Sequence, residues 1–366
     1  MGYVSVYDGQ MRLLAVLENA DAIGYELKYN DLWTAQFSLP AWDDKNEFCA
    51  MHNFVRLPGD GGRDLGVYRI VGMPDADETG LAGMRTYSLE HAMATLLDDV
   101  MFEVTDWTQG DGIEIGDAVA SIIGRQTARR WELGRCDFDG YIQHRIENMS
   151  LLEALRSLES WLPADGFAWV WDTSAEPWTV SLVRSEAEPG CGILYRRNLA
   201  EIRKSIDASA LVTRIWPLGH SDGNGQLTIR DVNGGIPYLD ADTQAAWGVR
   251  SGIWADTSIT DAGMLAACAH AQLEGMKNPR ISYTAKAVDL AAMTGDPWDR
   301  FMPGKLVRVT DTEHGIDFDA RILAISKRDL LGDPGSVEIT ISNALRDSVD
   351  GMVALANRVN AMMVRG

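Results

Sequence analysis

The sequence predicts a strand-rich α+β protein of more than one domain. Three observations carry that expectation. A length of 366 residues exceeds what one hydrophobic core comfortably organises. Short runs of β-branched, aromatic or alternating apolar residues recur through both ends of the chain. Two capped helical periods interrupt them in the middle.

Residues 1–97 read as a barrel-like unit of short antiparallel strands. Val4 to Tyr7, Leu13 to Leu17, Tyr25 to Tyr29, Phe37 to Leu39 and Val67 to Val71 are strand-like, with Pro58-Gly59-Asp60-Gly61-Gly62 as a turn between them. Residues 98–196 form an α+β region. There Asp111 and Glu114 are a candidate capping box ahead of Ile115, Ala118, Val119, Ile122 and Ile123, closed by Gly124. Ser150 and Glu153 repeat the device ahead of Leu151, Leu152, Leu155, Leu158 and Leu162, and Pro163 stops that helix. A hairpin of Phe167 to Trp171 and Thr179 to Val183 follows.

Residues 197–342 return to strands: Leu211 to Trp216, Gln226 to Ile229, Ile281 to Val288, Leu306 to Val309, Ala320 to Ile325 and Val337 to Ile341. They are expected to contain a second barrel-like domain and an α+β or loop excursion at about 230–276. Within it, Asp231 to Ile259 reads as a long loop or an excursion from a core, and Asp261 to Met276 as a helix. A final helix, 343–366, places Leu345, Val349, Met352, Ala356, Val359 and Met363 in an a/d seam.

Bulk chemistry excludes several classes. The formal charge of −20 opposes binding to phosphate backbones, although an acidic channel lets a duplex slide without sticking. No apolar run is long enough for a spanning helix, and Met1 to Asp8 show no signal-peptide pattern, so assembly in the cytoplasm is expected. Cys49, Cys136, Cys191 and Cys268 stand singly, as small hydrophobes do.

Several patterns invite chemistry, and each has a plainer reading. Gly219-His220-Ser221-Asp222-Gly223 fits the GxSxG nucleophile elbow, but Asn224-Gly225 and the strand-like Gln226 to Ile229 follow it where a helix is required, which favours a hairpin. Asp222, Asn224 and Gln226 alternate like calcium ligands, yet Leu227 and Asn233 occupy the positions that need glycine and glutamate. His52, His91, His144, His220, His270 and His314 show no metal-ligand spacing, and Gly59, Gly61 and Gly62 open no phosphate-binding helix. Trp161, Trp169, Trp171 and Trp178 could stack on sugars, but core packing is the plainer reading. No catalytic, cofactor-binding or metal residue is assigned, and no cofactor is expected.

The order of segments adds a resemblance. Phe37-Ser38-Leu39-Pro40, Asn53-Phe54-Val55-Arg56-Leu57, Gly66-Val67-Tyr68-Arg69-Ile70-Val71 and Tyr87-Ser88-Leu89-Glu90-His91-Ala92 look like the opening barrel of phage minor structural proteins of the prophage tail-endopeptidase type. Val212-Thr213-Arg214-Ile215-Trp216-Pro217-Leu218-Gly219 resembles that family's strand with a turn at its end. Pro303-Gly304-Lys305-Leu306-Val307-Arg308-Val309, Arg321-Ile322-Leu323-Ala324-Ile325-Ser326 and Ile339-Thr340-Ile341-Ser342-Asn343 are similar to its closing β-domain.

The resemblance implies a tail-hub fold with two barrel-like domains and α+β domains between them, assembled as a homotrimeric ring at the virion tail tip. It implies contacts with distal tail, tape-measure and receptor-binding or fibre proteins, and passage of phage DNA without sequence-specific binding. The family's peptidase label is not carried over, because no residue set here supplies a nucleophile or metal. Many members continue into a hydrolase or fibre region, whereas this sequence stops at Gly366. The alternatives are a tail-associated cell-wall hydrolase and a carbohydrate-binding module.

Overall fold

Alternation drives the first strands: Val4 and Val6 of β1 (Val4–Tyr7) are buried, while Ser5 and Tyr7 between them are half-buried. The computed structural model describes residues 2–72, 83–109, 112–162, 166–221, 225–256, 259–311 and 316–342. After β1 come β2 (Leu13–Leu17), β3 (Asp21–Lys28), β4 (Thr34–Pro40), β5 (Phe54–Arg56), β6 (Val67–Gly72) and β7 (Met84–His91). They pair antiparallel in the order β3-β4-β7-β6-β5-β1-β2. Phe37 and Tyr87, cross-strand neighbours, stack with ring centroids 5.1 Å apart inside the core.

At the end of β7, His91 is fully buried between Trp33, 4.9 Å away, and the edge of Tyr68. Its Nδ1 accepts the Met93 N–H at 3.2 Å, so Nε2 carries the ring proton. Burial holds the ring's pKa down at about 3, against an ordinary 6.5. Between those values the unfolded chain binds a proton that the folded chain refuses. Stability is therefore full above about pH 6.5 and falls as pH drops toward 3, by at most about 1.4 kcal/mol per pH unit. Urea unfolding at pH 6.5 and pH 5 should show this slope, and His91→Gln should flatten it to the smaller part contributed by His144, whose pKa burial also lowers.

The middle region has its own core. Helix α1 (Ile115–Ile123) buries Ile115, Ala118, Val119, Ile122 and Ile123, and helix α2 (Leu151–Ser157) buries Leu151, Leu152, Ala154 and Leu155 against it. At α2 the expected box is complete: the Glu153 N–H donates to Ser150 Oγ at 3.3 Å, and the Ser150 N–H donates to the Glu153 carboxylate at 2.8 Å. At α1 the expectation is corrected. Glu114 is itself the N-cap residue and makes no side-chain capping bond, while Asp111 lies outside the described residues. The α2 period also ends earlier than the leucine spacing suggests, passing into a 3-10 turn at Leu158–Trp161; Pro163 lies outside the described residues. The predicted hairpin forms from Phe167–Asp172 and Trp178–Arg184, with Trp131–Cys136 parallel to its second strand.

The C-terminal strands do not stand apart from the first ones. Ile316–Lys327 pairs with β3, setting Ala324 against Lys28 and Lys327 against Tyr25, so that both ends of the chain share one 13-stranded sheet. Leu27, Phe37 and Tyr68 accordingly pack in the same core as Val307, Ile322 and Ile339. The outermost strands of the path, β2 and Leu199–Asp207, each pair on one side, and no ladder joins them among the described residues.

The excursion is a third packed body. Arg214–Leu218 lies between Leu239–Asp240 and Ser251–Ala255, and helix Ala262–Met276, capped by Asp261, covers one face. Ile215, Ile229, Leu239, Ile259, Leu265, Cys268 and Leu273 form its core. Of the two readings of Asp231 to Ile259, a loop or an excursion from a core, Leu239 and Ile259 favour the second, since both lie in this core. Gln226 to Ile229 is reduced from a strand to a single bridge at Gln226. The a/d seam of 343–366 lies outside the described residues.

Candidate functional site

A buried cluster of charged side chains sits where the two ends of the chain meet. The Pro58 to Gly62 turn folds back on itself: the Asp60 N–H donates to the Arg63 carbonyl at 3.0 Å, and the Arg63 N–H donates to the Asp60 carbonyl at 2.8 Å. Gly62 has φ +77°, and a Cβ there would lie 2.9 Å from the Arg300 guanidinium, so the turn requires glycine at this position. The turn aims Asp60 and Arg63 inward. Arg63 donates to Asp60 at 2.5 Å, to Asp289 at 3.1 Å and to the Phe301 carbonyl at 3.1 Å. Lys327 reaches Asp60 at 2.9 Å, Asp289 at 3.1 Å and the Pro334 carbonyl at 2.7 Å, and Tyr25 Oη donates to Asp60 at 2.5 Å.

These four charged side chains are at most 5% exposed. Burial raises the Asp289 pKa, but Arg63 and Lys327 outweigh it and hold the carboxyl below its usual range. Burial keeps the Tyr25 phenol protonated, well above its ordinary range. Two cations balance two carboxylates, and their hydrogen bonds run within the protein. Such a group fastens segments together; it offers no free acid or base for catalysis.

The sequence candidates resolve as follows. Ser221 is exposed and bridges Gln226 antiparallel; the Gly219 N–H donates to the Leu227 carbonyl and the Leu227 N–H to that of His220, both at 2.9 Å. Among the described residues that is hairpin pairing, with no helix following at Gly225 to Ile229 as a nucleophile elbow would need. Asp222 and Asn224 of the calcium-like pattern lie outside the described residues, as does His314. Among the described residues, no group of three His, Cys, Asp or Glu side chains comes together as a metal site. Cys268 is buried and His270 exposed on the same helix, as their spacing requires. Burial pushes the Cys49 and Cys191 thiols up to about 12, far from the reactive thiolate range.

One serine-histidine contact was not anticipated. His144 Nε2 lies 2.8 Å from Ser157 Oγ, and Trp161 Nε1–H donates to His144 Nδ1 at 3.3 Å. The Nδ1 acceptor role leaves the proton on Nε2, which donates to the serine, and Ser157 in turn donates to the Ala154 carbonyl at 2.7 Å. A nucleophilic pair needs the opposite polarity, with the ring as acceptor. The tryptophans are core: Trp178 and Trp169 are buried, and Trp131 packs edge-on against both Trp171 and Trp178. Trp169 and Trp171 do share a strand face, as their alternation predicts, but Trp169 Nε1 is tied to Glu159 at 2.9 Å.

The architecture is that of phage tail proteins. A tail protein from Neisseria meningitidis MC58 superposes with a TM-score of 0.64 at 13% identity, covering 96% of this chain and 99% of that one. The prophage tail protein gp18 from Listeria monocytogenes EGD-e superposes at 0.60 with 16% identity, covering 99% and 100%. A component of the E. coli type VI secretion system, described as structurally similar to the T4 tail proteins gp27 and gp5, reaches 0.50 at 10% identity over 88% of this chain and 73% of that one. Within this class, residues 188–352 match the family model described as prophage endopeptidase tail, and the resemblance drawn from the sequence is borne out. No curated protein sequence matches the chain.

Proposed function

We propose that this chain is a structural hub of a phage tail tip: a homotrimeric ring that closes the tail tube and opens for DNA ejection. The observation that carries the reading is the end-to-end superposition on prophage tail proteins, with 99% of this chain and 100% of the Listeria chain aligned. Cyclic symmetry lets one chain match the axis of a tube, and a charge of −20 suits a channel through which DNA slides without binding. The partners in this reading are the distal tail ring, the tape-measure protein and receptor-binding or fibre proteins. The strand-rich units at 1–97 and 197–342 form the ring wall, with the α+β body of 98–196 and the excursion outside it and the segment 343–366 as a terminal helix. Because Leu239 and Ile259 anchor a core, closure by Asp231 to Ile259 requires motion of the whole excursion body.

In this reading the protein is not an enzyme. The word endopeptidase in the matching family's description motivates the rival, a cell-wall hydrolase, and peptidoglycan clearing separates the two. Neither the parent nor Ser221→Ala should clear a peptidoglycan gel. Clearing by the parent that the substitution abolishes would overturn the structural reading.

A further inference from the structure

We infer that residues 212–277, the excursion body, swing as one unit on a two-limbed hinge at 208–211 and 278–279. That the swing opens or closes the tube end rests on the ring reading above; the hinge itself does not.

The sheet defines one side of the joint. Leu199–Asp207 and Arg280–Val288 are antiparallel neighbours, and their ladder runs from Leu199 opposite Ala287 to Asp207 opposite Arg280. An ordinary hairpin would turn there within a few residues. Here the chain leaves at Asp207, builds the whole excursion and returns at Arg280. The body defines the other side, because it closes on itself. Its three strands form a sheet separate from the 13-stranded one, and its core shares no residue with the other two cores among the described residues. Bonds internal to the body seal its base: the Val212 N–H donates to the Met276 carbonyl at 3.0 Å, Thr243 Oγ1 donates to the Lys277 carbonyl at 2.7 Å, and the Lys277 ammonium reaches Asp242 at 3.1 Å and Glu274 at 2.7 Å. The sheet therefore ends where 207 meets 280, and the body begins where 212 meets 276.

Two short limbs bridge the gap, and they differ in stiffness. The first, Ala208 to Leu211, is a turn of small residues with Ala208 and Ser209 exposed. Its bonds are local: the Ser209 N–H donates to the Asp207 carboxylate at 2.8 Å, and the Leu211 N–H donates to the Ala208 carbonyl at 3.2 Å. Small exposed residues at the end of a strand are the kind that absorb the backbone change of a hinge. The second limb is Asn278 and Pro279; the proline ring fixes its own φ and holds Asn278 extended, so this limb keeps its length.

The direction of the swing follows from the two limbs lying side by side. Rotation within the plane of the strand pair would stretch one limb while shortening the other, which fixed backbone dimensions resist. Bending out of that plane moves both limbs alike. The axis therefore runs across the pair, and the body moves toward or away from one face of the 13-stranded sheet.

The test is a pair of spin-label distances in the full chain, with labelled chains diluted into excess unlabelled parent so that only distances within one chain are read. Nitroxides go on Ser88→Cys and Ala245→Cys, exposed positions on the sheet and on the body, in a Cys136→Ser background; Cys49, Cys191 and Cys268 are buried. The reference pair, Ser88→Cys with Ala200→Cys, lies within the 13-stranded sheet. The pair across the hinge should give a distance distribution at least about twice as wide as the reference pair. A distribution as narrow as the reference would overturn the hinge. Hydrogen exchange of Leu265→Ala, which empties part of the body's core, supplies the second measurement. Exchange across 212–277 should speed up by at least about tenfold while β3, β4 and β7 keep the parent's protection, even where the body unfolds altogether. Loss of protection in those strands as well would show that body and sheet are one unit, and would overturn the inference. Both measurements are independent of subunit number, so a monomeric parent would remove the ring reading while they still decide the hinge.

Discussion

Replacing Arg63 by Met should lower the unfolding free energy by about 3–5 kcal/mol, the range for removing one partner of a buried ion pair. The guanidinium is 1% exposed and bonds Asp60, Asp289 and the Phe301 carbonyl. Without it, Lys327 alone faces two buried carboxylates. The effect should also be visible in acid. Asp289 is held below its ordinary pKa, so its contribution is present above the unfolded value and is lost as pH falls through the folded one. In Arg63→Met the folded value rises, and acid unfolding should begin at higher pH. Urea titrations across pH 3–7 check both effects. A loss under about 1 kcal/mol would mean that the cluster is relieved by water or rearrangement and does not fasten the two ends of the chain.

Trp131→Ala should cost about 3–5 kcal/mol for a different reason, the cavity left in the middle core. The ring is 2% exposed, wedged 5.1 Å from Trp171 and 5.3 Å from Trp178, and its Nε1–H donates to Thr95 Oγ1 at 3.0 Å. Trp131→Phe keeps most of the volume and should lose less than half as much. A tryptophan cluster built for sugar stacking would give the contrary result, a small stability change and a loss of glycan binding, because a binding platform is exposed in the free protein.

What the sequence makes legible here is local. The alternation at Val4 to Tyr7 and the Ser150–Glu153 box are decided by neighbours a few residues apart, and they form as expected. The Ser221 hairpin was legible for the same reason: the strand-like run after Gly225 argues against a following helix. The third body was partly hidden, because Leu239 and Ile259 are isolated apolar residues whose partners, Leu265 and Leu273, lie on a later helix.

The joining of both ends into one sheet was not legible at all, since Tyr25 meets Lys327 through a pairing no local period encodes. The buried charge cluster follows the same rule. Gly59, Gly61 and Gly62 mark a turn in the sequence, but nothing there shows that Asp60 and Arg63 will meet Lys327 and Asp289, 267 and 226 residues away. His144, between the short strands Tyr141–Ile142 and Arg145–Ile146, meets Ser157 at the end of α2, and their polarity depends on Trp161, which spacing does not reveal.

The central claim is a ring of identical subunits, and the solution mass by light scattering coupled to size exclusion tests it most directly. Three chains of 40.3 kDa, about 121 kDa, is the predicted result; a stable dimer of about 81 kDa would contradict it, because an isologous pair cannot close a tube on a three-fold axis.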